Sequence, residues 1–157
     1  VKAKWIKMYL DFADRAAEES HAVRLKVGAI FVSPKGVVST GINGLPAGGD
    51  NVCEEEVYAD SLSDKTVLRT KVEVSHAEEN LFSKLMRQGV STEGGWVFLT
   101  HEPCINCAKI IAGSGVEAVV YRTPYAGSHK TGKEWLRQND VICESEEYMY
   151  VFYKPKD

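Results

Sequence analysis

The chain has 157 residues, a size that fits one domain able to bury roughly two-thirds of its unfolded surface. Hydrophobic residues make up 44% and charged residues 26%, which excludes a disordered chain, and no apolar run approaches the ~20 residues of a membrane span. The net charge is −3 with no run of basic residues, so a small-molecule substrate is favoured over a polynucleotide backbone.

The chain begins at Val1 with no Met, which implies removal of at least one residue. Lys4, Lys7, Asp11, Asp14 and Arg15 interrupt the first apolar stretch and exclude a signal-peptide core. Four cysteines without a secretion signal point to metal binding in a reducing, cytoplasmic compartment (host cytoplasm for a viral protein) rather than to two disulfides.

In chain order, Ile6, Tyr9, Leu10, Ala13, Ala16 and Ala17 recur at helical spacing and predict an amphipathic helix over 5–19. Two short runs, 27–32 and 37–42, flank Ser33-Pro34-Lys35-Gly36 and predict a hairpin. Residues 43–72 carry glycines, the acidic cluster Glu54, Glu55 and Glu56 and weak periodicity; they read as one long loop, either ordered and functional or partly mobile. A helix over 75–88 follows, with Ser75 as its cap, Ala77, Leu81, Phe82 and Leu85 on its apolar face and Gly89 as its stop. Residues 96–100 form a buried strand, Pro103 opens a helix over 104–112, and 116–121 form another strand. A helix is expected over 130–139. The last strand is either 148–153 or the Val141-Ile142 pair. Strands alternating with helices predict a three-layer α/β/α sandwich on a mixed five-stranded sheet in a single domain over 1–157.

The residues that carry chemistry are split in two. His76-Ala77-Glu78 is followed, after an intervening helix and strand, by Pro103-Cys104-Ile105-Asn106-Cys107. Cys104 and Cys107 stand three apart in the first turn of a helix, so both sulfurs can face one point, and the helix start favours thiolate over thiol. One imidazole and two thiolates give a divalent zinc three ligands and leave one open position, the mark of a catalytic rather than a structural site. Glu78 has two readings. It fits the Ser-x-x-Glu capping box, and it can serve as proton carrier for a metal-activated water. Glu79 is an alternative acid.

This pattern resembles the cytidine-deaminase superfamily, whose zinc nucleobase deaminases share it. A narrower resemblance, to the deoxycytidylate (dCMP) deaminases, rests on Lys26-Val27-Gly28-Ala29, the 41–48 stretch Gly-Ile-Asn-Gly-Leu-Pro-Ala-Gly, His76-Ala77-Glu78-Glu79-Asn80, Pro103 to Lys109, Val120-Tyr121 and Tyr125. It implies hydrolytic conversion of dCMP to dUMP and ammonia, feeding thymidylate synthesis, with His76, Cys104 and Cys107 on zinc and Glu78 as the catalytic acid–base. It further implies a homohexamer regulated by dCTP and dTTP, with Mg2+ accompanying a regulatory nucleotide. Substrate contacts are assigned to Arg24, Lys26, Asn43, Ala77, Pro103, Tyr121 and Tyr125, and effector contacts to Gly41 and Gly44. Taken alone, Asn43 reads as a turn residue and the tyrosines as packing; Arg24 and Lys26 flank the first strand and read either as a grip on a 5′-phosphate or as solvated surface charge. Ile42 and Leu81-Phe82 depart from the family's usual Tyr and Ala-Ile. A second, structural zinc is not expected, because Cys53 is alone in the long loop and Ala22 and Val23 precede the first strand. The rival readings are a free-nucleoside or tRNA adenosine deaminase and a zinc-stabilised nucleotide-binding module without chemistry.

Overall fold

A computed structural model describes residues 1–125 and 132–153. Its elements run α1 (Ala3–Ala17), β1 (Gly28–Val32), β2 (Val38–Ile42), β3 (Glu54–Tyr58), β4 (Thr66–Thr70), α2 (Ala77–Gln88), β5 (Trp96–His101), α3 (Ile105–Ala112), β6 (Ala118–Thr123), α4 (Gly132–Gln138), β7 (Ile142–Ser145) and α5 (Glu146–Phe152). The expected five-stranded mixed sheet is present in the order β2-β1-β5-β6-β7. β1 pairs antiparallel with β2 and β5, while β5–β6 and β6–β7 are parallel.

Alternation along the central strands splits the core between two faces. Phe31, Val97, Leu99 and Val119 pack against Leu81 and Leu85 of α2, Ile111 of α3 and Leu136 of α4. Ile30, Phe98 and Val120, facing the other way, pack against Ile6, Leu10 and Ala13 of α1 and Met149 of α5. A sheet buried on both faces needs near-continuous apolar strands, and β1 and β5 read that way. On the second face Arg122 joins the layers: its guanidinium meets Asp11 and Asp14 of α1 and Glu146 of α5. Among the described residues, no helix is long and apolar enough to cross a membrane.

The structure corrects the sequence reading in three places. Residues 43–72 are not a single irregular loop, because β3 and β4 form a separate two-stranded antiparallel hairpin. Opposed Glu55 and Arg69 form an ion pair at 2.8 Å across it; the middle charge of the acidic run that masked β3 in the sequence is met only by the partner strand. The 148–153 segment is not a strand. Ser145 caps a helix there by accepting the Tyr148 N–H at 3.3 Å, and Tyr148 and Phe152 stack one helical turn apart. The last strand is β7, which includes Ile142. Finally, α2 begins at Ala77 with His76 as its cap, one residue later than the Ser75 cap implied. Of the expected 130–139 helix, the first two residues lie outside the described residues.

Candidate active site

Strand register brings the site residues to one edge. Gly28 stands opposite Ile42, and Ala29 opposite Leu99, so the start of β1 meets the ends of β2, β5 and β6. In open α/β sheets this carboxyl-end edge is where ligands bind. Helices α2 and α3 both start here. His76 caps the first and Cys104 the second, each in extended backbone conformation. Their free N–H groups give the space between them a positive potential.

Into that space His76 Nδ1 projects 3.5 Å from Cys104 Sγ and 3.4 Å from Cys107 Sγ. The three donor atoms lie within 4.8 Å of one another, and they form the one such cluster among the described residues. One imidazole nitrogen and two sulfurs so close together fit a tetrahedral zinc with one position left over. The protons in the metal-free trio are shared. Hydrogen bonding from Cys107, with help from His76, draws the Cys104 thiol down to about 3. Hydrogen bonding to Cys104 raises His76 to about 9, while the bond to Cys104 and burial push Cys107 upward. A divalent cation must displace the protons on His76 and Cys107, so metal uptake releases acid.

Glu78, in the first turn of α2, is 4% exposed. Burial raises its carboxyl to about 7, with the Cys104 charge adding to the effect and the His76 charge opposing it. The capping alternative for Glu78 is settled by its neighbour: Glu79 Oε2 accepts the His76 backbone N–H at 2.6 Å. The box is shifted by one residue, and Glu78 is left free to face the donors. Gly41 explains how α2 comes so close. A Cβ there would sit 2.2 Å from the Ala77 carbonyl oxygen and 2.7 Å from Leu81, so only glycine lets the helix seat on β2. Asn80 then ties the helix to the strand end by donating to the Ile42 carbonyl at 2.7 Å.

The other assigned residues divide. Asn43 lies at the site edge, but its amide serves the main chain: Oδ1 accepts from Val27 N at 2.8 Å and Nδ2 donates to Leu25 O at 2.7 Å. Gly44 exchanges two backbone hydrogen bonds with Ser75, which brings its loop directly beside His76. Arg24 is exposed, with Nη1 at 3.4 Å from Thr70 Oγ1. Lys26 turns away and donates to the Glu18 carbonyl at the end of α1. Tyr121 is 3% exposed, and its hydroxyl accepts from Lys133 at 3.0 Å, so it belongs to the core. Gly41 is buried under α2 and leaves no surface for an effector. Ala77 and Pro103 are buried beside the donors, and the free N–H at the start of α2 is the part of Ala77 able to meet a ligand. Tyr125 is tied to the segment just before Pro103-Cys104 by its backbone N–H, which donates to Glu102 Oε2 at 2.8 Å. Glu102 had been assigned no role; its place beside Pro103-Cys104 was the one signal available.

An open three-donor centre with a buried carboxylate at the edge of an α/β/α sandwich defines a zinc-dependent hydrolytic deaminase class. The comparisons with known proteins agree. Residues 3–123 match the model of the cytidine and deoxycytidylate deaminase zinc-binding region. A deoxycytidylate deaminase of Mycobacterium phage D29 is 36% identical, covering 74% of this chain and 93% of the relative. That of Enterobacteria phage T4 is 32% identical over 85% of this chain and 84% of its own. A crystal structure of dCMP deaminase from the cyanophage S-TIM5 in complex with dCMP and dUMP superposes with a TM-score of 0.75 at 31% identity, covering 92% of this chain and 98% of that one. The chain belongs to the cytidine and deoxycytidylate deaminase family.

Proposed function

We propose that this chain converts dCMP and water into dUMP, the thymidylate precursor, and ammonia. The convergence of His76 Nδ1, Cys104 Sγ and Cys107 Sγ beside a buried Glu78 is the observation that carries the reading. Zinc held by the three donors supplies Lewis-acid activation of a water. Glu78 takes one proton from that water as its oxygen bonds to C4 and gives it to the ring nitrogen N3; it then takes the second proton, from the new C4 hydroxyl, and gives it to the exocyclic nitrogen as the C4–N bond breaks and ammonia leaves. Asn43, holding the 25–27 backbone, shapes the wall against the sugar, and its remaining N–H can reach a hydroxyl. Arg24 supplies the fork for the 5′-phosphate. The phage relatives, named as deoxycytidylate deaminases, support the monophosphate over the free nucleoside.

The same reading includes a homohexamer and a response to dCTP and dTTP with Mg2+, both resting on the family resemblance, and a cytoplasmic location, in keeping with small phosphorylated substrates. An ultraviolet assay comparing dCMP, dCTP, cytidine and deoxycytidine tests it. dCMP is expected to be turned over with the highest kcat/KM. Equal turnover of deoxycytidine would contradict the phosphate assignment, and no loss of absorbance with any of the four would contradict the chemistry.

A further inference from the structure

The β3–β4 hairpin contributes nothing to the main sheet, yet it is bonded to the stretch that carries Arg24. Glu54, the first residue of β3, is 9% exposed. Its Oε1 accepts two backbone N–H groups, from Val23 at 2.7 Å and from Arg24 at 3.1 Å. Thr70, which meets the Arg24 guanidinium, stands directly opposite Glu54 in the hairpin. One cross-strand pair therefore holds Arg24 twice, by its main chain and by its side chain. Beneath the pair, Cys53 packs with Ala22, Leu45 and Val74. This small apolar cluster joins the hairpin base to residues just before both Arg24 and His76.

Keeping a carboxylate out of water is costly unless hydrogen bonds compensate it. Glu54 forms no ion pair with a lysine or arginine among the described residues; the donors on it are the two main-chain N–H groups. Its role is therefore to fix a stretch of backbone. The two grips on Arg24 differ in strength. The Glu54 bonds are within the ordinary range, whereas 3.4 Å to Thr70 is at the weak limit for a hydrogen bond. The guanidinium can leave Thr70 for a ligand while its main chain stays in place. On the far side Asn43 pins Leu25 and Val27, so Arg24 is bracketed by two anchors.

We propose that Glu54 is a positioning residue for recognition of the nucleotide 5′-phosphate: it holds the Arg24 main chain so that the guanidinium is preorganised to grip the anion. The inference rests on the assignment of Arg24 made above. It is tested with Arg24→Ala, Glu54→Ala, Glu54→Gln and the Arg24→Ala/Glu54→Ala double variant in the full chain. The readouts are zinc content, kcat and KM for dCMP, and inhibition constants for dUMP and deoxyuridine.

Arg24→Ala and Glu54→Ala are each expected to raise KM for dCMP and Ki for dUMP by about 10-fold, the loss of one charge-assisted hydrogen bond. Zinc content and the Ki for deoxyuridine stay constant, and kcat changes little. Glu54→Gln, whose amide oxygen still accepts both N–H groups, recovers most of the loss. The double variant is no worse than Arg24→Ala. Should Glu54→Ala fail to fold, Glu54→Asp, which keeps the charge but shortens the reach, is expected to raise Ki for dUMP alone by roughly 3-fold. Suppose Arg24→Ala weakens dUMP while the Glu54 variants do not, or the Glu54 variants weaken dUMP and deoxyuridine alike. Glu54 is then merely structural and Arg24 keeps its role. If Arg24→Ala leaves dUMP binding intact, the phosphate assignment falls and this inference falls with it.

Discussion

The two halves of the active edge are built by different means. On the metal side, His76 and Cys104 cap helices seated directly on the sheet, and Glu78 and Cys107 follow within one turn. Each position is fixed by its own helix start. On the side proposed to meet the nucleotide, Arg24, Asn43 and Gly44 sit in connecting segments held by bonds between residues far apart in sequence: Glu54 to Arg24, Asn43 to Val27, Gly44 to Ser75. The metal half is a rigid local device, and the nucleotide half is an assembly of loops. On the proposed assignment, reaction chemistry is separated from substrate selection, which loops can alter without disturbing the donors.

Substitutions should expose that separation. The largest effects fall on the metal half. His76→Ala or Cys104→Ala should lose zinc and all measurable deamination, read by metal analysis and the ultraviolet assay. Glu78→Gln should keep its zinc while kcat drops by roughly 10²–10⁴-fold; a fall in zinc content together with kcat would make Glu78 structural instead. Next comes the contact between halves and scaffold. Gly41→Ala places a Cβ against the Ala77 carbonyl and Leu81, and displacing α2 should cost about 1–3 kcal/mol of stability and weaken zinc retention. Chemical denaturation and competition with a chelator check both. Asn43→Ala should free the 25–27 backbone and raise KM for dCMP several-fold while zinc content holds, a split the metal half never shows.

The smallest effect lies away from the edge. Arg122→Gln removes the cation joining α1, β6 and α5 and should lower stability near neutral pH by about 1–2 kcal/mol, discounted because the cluster is partly exposed. Burial opposes ionisation of Glu146, but hydrogen bonds from Arg122 and Tyr150 outweigh it and hold the carboxyl below its ordinary range. A lowered folded-state value gives stability that is present above the unfolded-state pKa, about 4.3, and lost as pH falls through the folded value. The gap between wild type and variant in denaturation experiments should therefore be full at neutral pH and close progressively on acidification below about 5.

The same division governed how much could be read from the chain. The donors, Glu78 and the α/β alternation around them were legible because helix starts, periodic apolar faces and the Pro-Cys-x-x-Cys spacing are local signals. The shift of the capping box from Glu78 to Glu79 depended on where α2 begins, an end that spacing alone leaves open by a residue or two. The hairpin was not legible, because the Glu54–Glu56 run opposes strand formation until Arg69 lies across from it. Lys26 and Tyr121 were drawn to the substrate by resemblance, whereas the Glu18 carbonyl and Lys133 engage them elsewhere. Glu54 carried no local sign at all. Its meaning is two backbone N–H groups some thirty residues upstream, a relation that exists only in the folded chain.

The central claim is that three side chains hold one zinc ion on which deamination depends. Turnover of dCMP, followed while zinc is stripped by a chelator and then returned, tests it most directly. Activity should fall in step with bound zinc and recover at stoichiometric zinc. Undiminished conversion to dUMP by fully metal-free protein would contradict the account.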